Sequence, residues 1–251
     1  MAETVKITSI SNDVVKFAAA LEQKKFRDET GLFLLEGKKP IEEAIKAGIE
    51  IEKLFFLEEE IFSAKEKFLV TEAILKKIST TQSAPEIIAV AKKKEYDFTQ
   101  LNGKTVLLLE NIKDPGNLGT IIRTATALGV HLIVLCGDCV DLYNPKVIRS
   151  ATGNLFQIPI VHNDDFEQIR HQFRNHKFIG TILDPAKSPI DLNKVNFNMP
   201  VVIMFGSEAE GLSSKAMEYV HEFVKIPLQN EVESLNIAVS AGIILHKALV
   251  N

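Results

Sequence analysis

Residues 105–136 read TVLLLENIKDPGNLGTIIRTATALGVHLIVLC, and the architecture of the chain can be worked out from them. Positions 105–110 form a continuous apolar run of the kind that is covered on both faces in the middle of a parallel sheet. Asp114-Pro115-Gly116-Asn117 supplies turn chemistry. A helix is predicted over 118–128, and a second apolar run over 131–136. Strand, helix and strand in this order make a βαβ unit, because parallel neighbours need a crossover connection. The chain is therefore expected to be α/β.

The same reading extends toward the C-terminus. Strands are predicted at 156–161, 177–183 and 200–205, and helices at 164–174 and 213–220. A last helix over 237–249 carries Ile237, Ala241, Ile244, Leu245 and Leu249 at helical spacing. Toward the N-terminus, KKKEYDFTQLNGK (92–104) is polar and carries a Gly, which marks a boundary between a domain of residues 1–96 and one of residues 97–251. In the first domain a helix is predicted over 11–25, capped by Ser11 or Asn12. LFLLEG (32–37), IEKLFFL (51–57) and EIIAVAKK (86–93) read as strands. PIEEAIKAG (40–48) and a short segment opened by Thr71-Glu72 read as helices, and positions 80–83 as a loop. This alternation suggests a small α/β layer domain.

Composition bounds the function classes. The 251 residues are 46% hydrophobic and 25% charged, ordinary globular values that argue against long disorder. No apolar run approaches the ~18–20 residues needed to cross a bilayer. MAETVKITSISNDVV at the start has no apolar core of a signal peptide, so a cytoplasmic location is expected. Two cysteines are too few for a disulfide framework. With 29 basic against 33 acidic residues the net charge is −4, which disfavours a protein that coats nucleic acid non-specifically. Lysines nevertheless cluster, at Lys24-Lys25 with Arg27, at Lys38-Lys39, at Lys76-Lys77 and at Lys92-Lys93-Lys94. Each cluster is either a solvated helix face or a patch that faces phosphates.

Several familiar chemistries are excluded. Cys136-Gly-Asp-Cys139 ends a strand instead of opening a helix, so nothing lowers its thiol pKa as in a redox motif, and a zinc site lacks two further ligands. Gly206-Ser-Glu-Ala-Glu-Gly211 has the two glycines of a phosphate loop, but Leu212 stands where the lysine belongs. No GxGxxG follows a strand, and neither GxSxG nor HExxH occurs. No metal is expected.

Three other strand-end segments carry more. LLLENIKDPGNLGTIIRTATALG (107–129) places Asn117 near a helix entry and Arg123 further inside. VVIMFGSEAEGLS (201–213) ends an apolar strand in a Gly-bounded acidic loop. VKIPLQNEVESLNIAVSAGIILHKAL (224–249) runs through Pro227 and a polar loop to Ser234-Leu235-Asn236, either polar member of which can cap the last helix. Ligands of α/β sheets bind outside the carboxyl ends of strands, where all three loops fall.

DPGNLGTIIRTA, FGSEAEGLS and IPLQNEVESLNIAVSAGIILHKA resemble, in order, the three motifs of the SpoU/TrmH branch of the SPOUT methyltransferases. KKFRDETGLFLLEGKKPIEEAIKAGIEIEKLFF is similar to the substrate-binding domain that precedes the catalytic domain in many members, itself similar to small RNA-binding ribosomal proteins. The resemblance implies a SPOUT α/β domain with a parallel sheet and a deep C-terminal trefoil knot, an exception to the usual topology rules. It implies S-adenosylmethionine-dependent 2′-O-methylation of a ribose in structured RNA, in a homodimer whose active site is completed across the interface. Carried over position by position, Gly206, Ile226 and Leu235 would contact S-adenosylmethionine, largely through backbone groups. Asn117, Arg123, Glu208, Ser234 and Asn236 match the functional polar positions. NPKVIRSATGNLF (144–156) also resembles a family stretch. Arg149 and Ser150 are thereby expected to face RNA, together with Lys24, Lys25, Arg27 and Lys38 of the lysine clusters.

The family reading gives Arg123 the role of the base that takes the ribose proton. A guanidinium is effectively always protonated, so Arg123 can instead hold the adjacent phosphate or stabilise a developing alkoxide. Asn236 and Ser234 can orient Arg123 or the acceptor, and Glu208 can fix Asn117. The N-terminal domain favours ribosomal over transfer RNA as substrate. The competing readings are a transfer-RNA ribose methyltransferase, a SPOUT enzyme acting on a base nitrogen, and a non-catalytic RNA-binding module.

Overall fold

The computed structural model describes residues 3–58, 62–182, 184–229 and 233–250. Position 183 of one expected strand and positions 230–232 of the third motif lie outside the described residues. In chain order the first elements are β1 (Thr4–Lys6), α1 (Asp13–Ala20), α2 (Lys24–Thr30), β2 (Leu32–Glu36), α3 (Lys38–Lys46), β3 (Ile51–Phe56), β4 (Glu66–Leu69), α4 (Glu72–Ile78) and β5 (Ile87–Lys92). They are followed by β6 (Thr105–Glu110), α5 (Pro115–Leu128), β7 (Leu132–Cys136), α6 (Pro145–Ala151), β8 (Ile160–His162), α7 (Phe166–Gln172), β9 (Lys177–Thr181), β10 (Ile190–Asp191), β11 (Val201–Phe205), α8 (Ser214–Met217), β12 (Glu222–Lys225) and α9 (Ile237–Leu249). Two compact units result, one of Met1–Lys94 with Asp141–Gln157, the other of Glu95–Val140 with Ile158–Asn251.

The first unit is built on a mixed five-stranded sheet in the order β1-β4-β3-β5-β2. Strand β1 pairs parallel with β4 and β4 with β3, whereas β5 runs antiparallel to both β3 and β2. Successive strand side chains point to opposite faces. Leu34, Phe55, Phe68, Ile88 and Val90 pack with Val15, Ala18 and Leu21 and with Ile74, Leu75 and Ile78 of α4. The apolar run of β2 leaves Phe33 to be buried on the other face. Its ring lies 4.6 Å from that of Tyr143 and 5.9 Å from that of Phe156. The segment Asp141–Gln157, which the sequence assigns to the second domain, thus helps to cover β2 and groups with the first unit.

The single helix expected over 11–25 is two helices, α1 and α2. Asn12 is the cap, its Oδ1 accepting the Val14 N–H at 2.9 Å. The break at Leu21–Gln23 is held by Arg27, whose Nη1 donates to the carbonyls of Leu21 (2.8 Å) and Glu22 (2.6 Å). Arg27 also donates from Nε and Nη2 to Asp141 Oδ2, at 2.8 and 2.5 Å. The assignment of Arg27 to an RNA-facing surface is corrected here. Its side chain is 2% exposed and all four contacts are internal. A guanidinium with neighbouring lysines reads as a surface charge in sequence, yet here it is buried and paired.

The second unit is a wholly parallel seven-stranded sheet in the order β10-β12-β9-β11-β6-β7-β8. Strands β6, β7 and β11 are buried at every position, as their continuous apolar sequences require. On one face Val106, Leu108, Val202 and Met204 pack against Phe166, Ile169 and Phe173 of the α7 region and Ala216 of α8. Helices α5 and α9 pack against each other. From β6 the chain proceeds outward through β7 and β8. From the adjacent β11 it goes the other way, past β9 to β12. The β6/β11 pair is thus the switch point at which an open parallel sheet forms a crevice.

Candidate active site

The site grows out of the carboxyl ends of β6 and β11. After Glu110 the backbone turns at Asn111, which has φ 57° and whose Oδ1 accepts the Asp138 N–H at 2.8 Å. Asn is among the few residues with a side chain that tolerate this left-handed conformation. Asp114 then caps α5 by accepting the Asn117 N–H at 2.8 Å, with Pro115 in the first turn and Gly129 closing the helix at φ 82°. This cap places the Asn117 side chain at the helix entry.

The β11 end is a tight loop. Ser207 and Gly211 exchange two backbone hydrogen bonds of 3.1 and 3.0 Å, and the Glu210 N–H donates to Ser207 Oγ at 3.1 Å. The crossing leaves no room for a side chain at position 206. A Cβ on Gly206 would lie 1.9 Å from the Gly211 carbonyl carbon and 2.1 Å from the Leu212 nitrogen. Beyond the loop, Ser213 caps α8, and its N–H and Oγ donate to the two oxygens of buried Glu110 at 2.8 and 2.6 Å.

Three of the expected polar residues meet. Asn117 Nδ2 donates to Glu208 Oε1 at 2.7 Å, and Asn236 Nδ2 donates to Asn117 Oδ1 at 3.0 Å and to Glu208 Oε1 at 3.5 Å. Asn236 rather than Ser234 is the cap of α9, its Oδ1 accepting the Ala238 and Val239 N–H groups at 2.9 and 3.4 Å. The cap fixes the Asn236 rotamer and leaves its amide nitrogen to bind Asn117.

A cavity of about 510 Å³ opens beside this cluster. It is lined by Gly206, Ile226 and Leu235, by Glu208, Ser234 and Asn236, and by apolar Phe205, Leu212, Leu228 and Ile244. Thr181 and Ile182 also line it, although neither belongs to one of the three strand-end motifs. They follow from the rule that ligands sit beyond strand ends, since β9 ends at Thr181. A second cavity of about 380 Å³ shares the 207–210 wall and is lined by Asn111, Lys113, Asp114 and Asn117.

Arg123 is not part of this constellation within one chain. It is exposed on α5, lines neither cavity and has no hydrogen bond or ion pair among the described residues. In the first unit Lys24, Lys25 and Lys38 are exposed. Lys24 pairs with Asp28 at 2.6 Å and Lys25 with Glu29 at 3.8 Å. Arg149 donates to Thr80 Oγ1 at 2.7 Å and lies 3.5 Å from Glu36, while Ser150 is half-buried.

Burial pushes both thiols of the CxxC pair above the ordinary value of 9.0, Cys136 the further. Cys139 Sγ accepts the Ile112 N–H at 3.3 Å, so it supports the loop after β6. Among the described residues no three His, Cys, Asp or Glu side chains group as metal ligands, and no helix is long and apolar enough to cross a membrane.

A parallel α/β unit with a cavity at its switch point and an amide–carboxylate cluster on the cavity rim is a ligand-binding domain of the α/β enzymes. Residues 104–246 match the SpoU rRNA Methylase family and residues 12–89 the MRM3-like substrate binding domain. The chain belongs to the SpoU rRNA methylase family. It is 32% identical to an uncharacterised tRNA/rRNA methyltransferase of Synechocystis, over 98% of this chain and 94% of that protein. It is likewise 32% identical to a 23S rRNA (guanosine(2553)-2′-O)-methyltransferase of Bacillus subtilis, over 96% of this chain and 98% of the relative. The crystal structure of an AdoMet-bound rRNA methyltransferase from Sinorhizobium meliloti superposes with a TM-score of 0.90 at 30% identity, covering 98% of this chain and 97% of that one.

Proposed function

We propose that this chain transfers a methyl group from S-adenosylmethionine to a ribose 2′-oxygen of ribosomal RNA. The observation that carries the reading is the Asn117–Glu208–Asn236 cluster on the rim of the cavity lined by Gly206, Ile226 and Leu235. That cavity fits the cofactor chemically. Phe205, Leu212 and Ile244 offer apolar walls to an aromatic base, while Ser234 and the carboxylate of Glu208 offer partners to an amino-acid end and a cationic centre.

When bound, S-adenosylmethionine supplies an electrophilic sulfonium methyl. The residues of the chain must then orient the acceptor in line with it, which is a large part of catalysis for such a displacement. Glu208 holds the Asn117 amide, Asn236 braces Asn117 from the other side, and the trio presents a fixed polar edge to the ribose. Removal of the hydroxyl proton falls to a group near the acceptor. Arg123, always cationic, stabilises the developing alkoxide or binds the neighbouring phosphate.

The reading includes a homodimer. Val239 and Ile243 are exposed, 51% and 39%, and lie four residues apart on one face of α9, the helix that packs on Arg123-bearing α5. A second copy covering this face would exclude water from it and set Arg123 of one subunit toward the cluster of the other. The C-terminal trefoil knot, a cytoplasmic location and a division into an RNA-binding domain of residues 1–96 and a catalytic domain of residues 97–251, the latter lending Asp141–Gln157 to the first compact unit, belong to the same reading. Lys24, Lys25 and Lys38 of residues 1–96 and Arg149 and Ser150 of the segment Asp141–Gln157, all in the first compact unit, are the proposed RNA contacts.

The test is transfer of labelled methyl from S-adenosylmethionine into unmodified ribosomal and transfer RNA, with digestion to nucleosides. Label on ribose in ribosomal RNA, lost in Arg123→Ala while cofactor binding survives, is the expected result. Label on a base, or in transfer RNA alone, would replace the substrate assignment. Absence of both label and cofactor binding would leave an RNA-binding module.

A further inference from the structure

Glu110 is a buried carboxylate, 5% exposed, at the carboxyl end of the central strand β6. Nothing in the cofactor or acceptor chemistry described above uses it. Both its oxygens are engaged, Oε2 by the Ser213 N–H at 2.8 Å and Oε1 by the Ser213 hydroxyl at 2.6 Å. Ser213 Oγ in turn accepts the Ala216 N–H at 3.1 Å. The carboxylate thus grips the far end of the 206–213 loop, whose residues 207–210 are the wall shared by the two cavities.

A second grip of opposite sense lies across the same gap. Glu110 and Asn117 belong to the arm that follows β6, whereas Ser213 and Glu208 belong to the arm that follows β11. Glu110 takes hold of Ser213, and Glu208 takes hold of Asn117 at 2.7 Å. The rim contact is exposed and weak by itself, because water competes for it. Both grips end on a carboxylate and are charge-assisted; what distinguishes them is that Glu110 is buried and holds Ser213 through two bonds, one to each oxygen, whereas Glu208 receives Asn117 at the exposed rim. The grip on Glu110 is thus the better shielded from water of the two.

We propose that Glu110 is a positioning residue that, through Ser213, holds the 206–213 wall where Glu208 meets Asn117 and where the wall closes on S-adenosylmethionine. This rests on the methyltransferase reading. It predicts that loss of Glu110 loosens the loop and the cofactor together, without loosening the strands beneath.

The experiment compares full-length wild type with Glu110→Ala, Glu110→Gln, Ser213→Ala and the Glu110→Ala/Ser213→Ala double variant. Affinity for S-adenosylmethionine is measured by calorimetry, and amide hydrogen exchange is followed over 105–110 and 201–213. Glu110→Ala is expected to weaken cofactor binding at least tenfold and to speed exchange in 207–213 while β6 and β11 stay protected. Glu110→Gln, which can still accept from the Ser213 N–H and donate to its hydroxyl, should recover most of the affinity. Adding Ser213→Ala to Glu110→Ala should cost less than a further twofold. Wild-type affinity in Glu110→Ala would overturn the proposal, as would exchange that accelerates equally through β6 and β11. A wild type that binds S-adenosylmethionine and methylates no RNA would sink the methyltransferase reading alone, since affinity and exchange still judge Glu110. A wild type that does not bind it would sink both.

Discussion

The side-chain amide of Asn117 donates to Glu208 Oε1 at 2.7 Å across 91 residues of sequence. One residue opens the helix after β6 and the other sits in the loop after β11, so the contact exists only because these two strands are neighbours in the sheet. Asn236, the cap of the last helix, completes the trio. Each strand-end loop of the sequence thus contributes one member.

Asn117→Asp tests the trio directly. Two carboxylates would then face each other where an amide now donates, and like charges push apart. The acceptor edge shifts, and misplacement of about 1 Å can cost on the order of 10²-fold in rate. Single-turnover methyl transfer is expected to fall by that order with S-adenosylmethionine affinity changed by less than about threefold, as Asn117 does not line the cofactor cavity. A wild-type rate would remove Asn117 from the mechanism.

Gly206→Ala tests the loop crossing. The added Cβ would stand 1.9 Å from a backbone carbon of Gly211, and backbone on both sides must move to relieve it. Overpacking of this kind costs about 1–3 kcal/mol or more. Thermal unfolding should show the loss, and calorimetry should show cofactor binding weakened beyond what the stability change explains. An unaltered melting temperature together with unaltered affinity would contradict the geometry.

Arg27 and Asp141 form a buried pair, 2% and 10% exposed. Removing one partner leaves the other charge without compensation, which costs ~3–5 kcal/mol. Arg27→Met is expected to lower the unfolding free energy of the first unit, taken from urea titration, by that order, and Arg27→Met/Asp141→Leu to recover part of it. If Arg27 served RNA instead, the single variant would keep its unfolding free energy and lose RNA affinity.

The thiols give a pH prediction. Both Cys136 and Cys139 are held above 9.0 by burial. Below about pH 8 the folded and unfolded chains both keep these protons, and their contribution to stability is fully present. As the pH rises past the ordinary thiol value, the unfolded chain sheds protons that the folded chain retains, and stability falls. Urea midpoints measured from about pH 8 to 10 should drop more steeply for wild type than for Cys136→Ala. Iodoacetamide should label the native protein slowly at neutral pH. Parallel pH slopes, or fast labelling, would show that the thiols are not buried as described.

Much of this was legible locally. Asp114, Pro115 and Gly129 are start and stop signals that any helix obeys, and α5 lies where they put it, three residues longer at its start than periodicity suggested. The final helix has the expected bounds, Ile237–Leu249. Short signals did worse. EKFL of β4 is too brief and too charged to read as a strand, and it exists because β1 and β3 flank it. The 11–25 segment keeps helical spacing through a break whose cause is Arg27, a residue outside it. Read along the sequence, Asp141–Gln157 belongs to the second domain, but it groups with the first unit. The structure uses Tyr143 and Phe156 to cover Phe33.

By itself, the sequence determined what is local and periodic: the parallel βαβ start, the three strand-end loops in order, and the residue types gathered there. Hydrogen-bonded turns and amphipathic spacing depend on neighbours within a few positions, so they can be read along the chain. Only the tertiary structure decided which polar groups touch and which charges are buried. The meeting of Asn117, Glu208 and Asn236, the grip of Glu110 on Ser213 and the burial of Arg27 against Asp141 all join residues far apart in sequence. Such contacts are set by sheet order and by which face needs covering, and those are properties of the packed molecule rather than of any stretch of it.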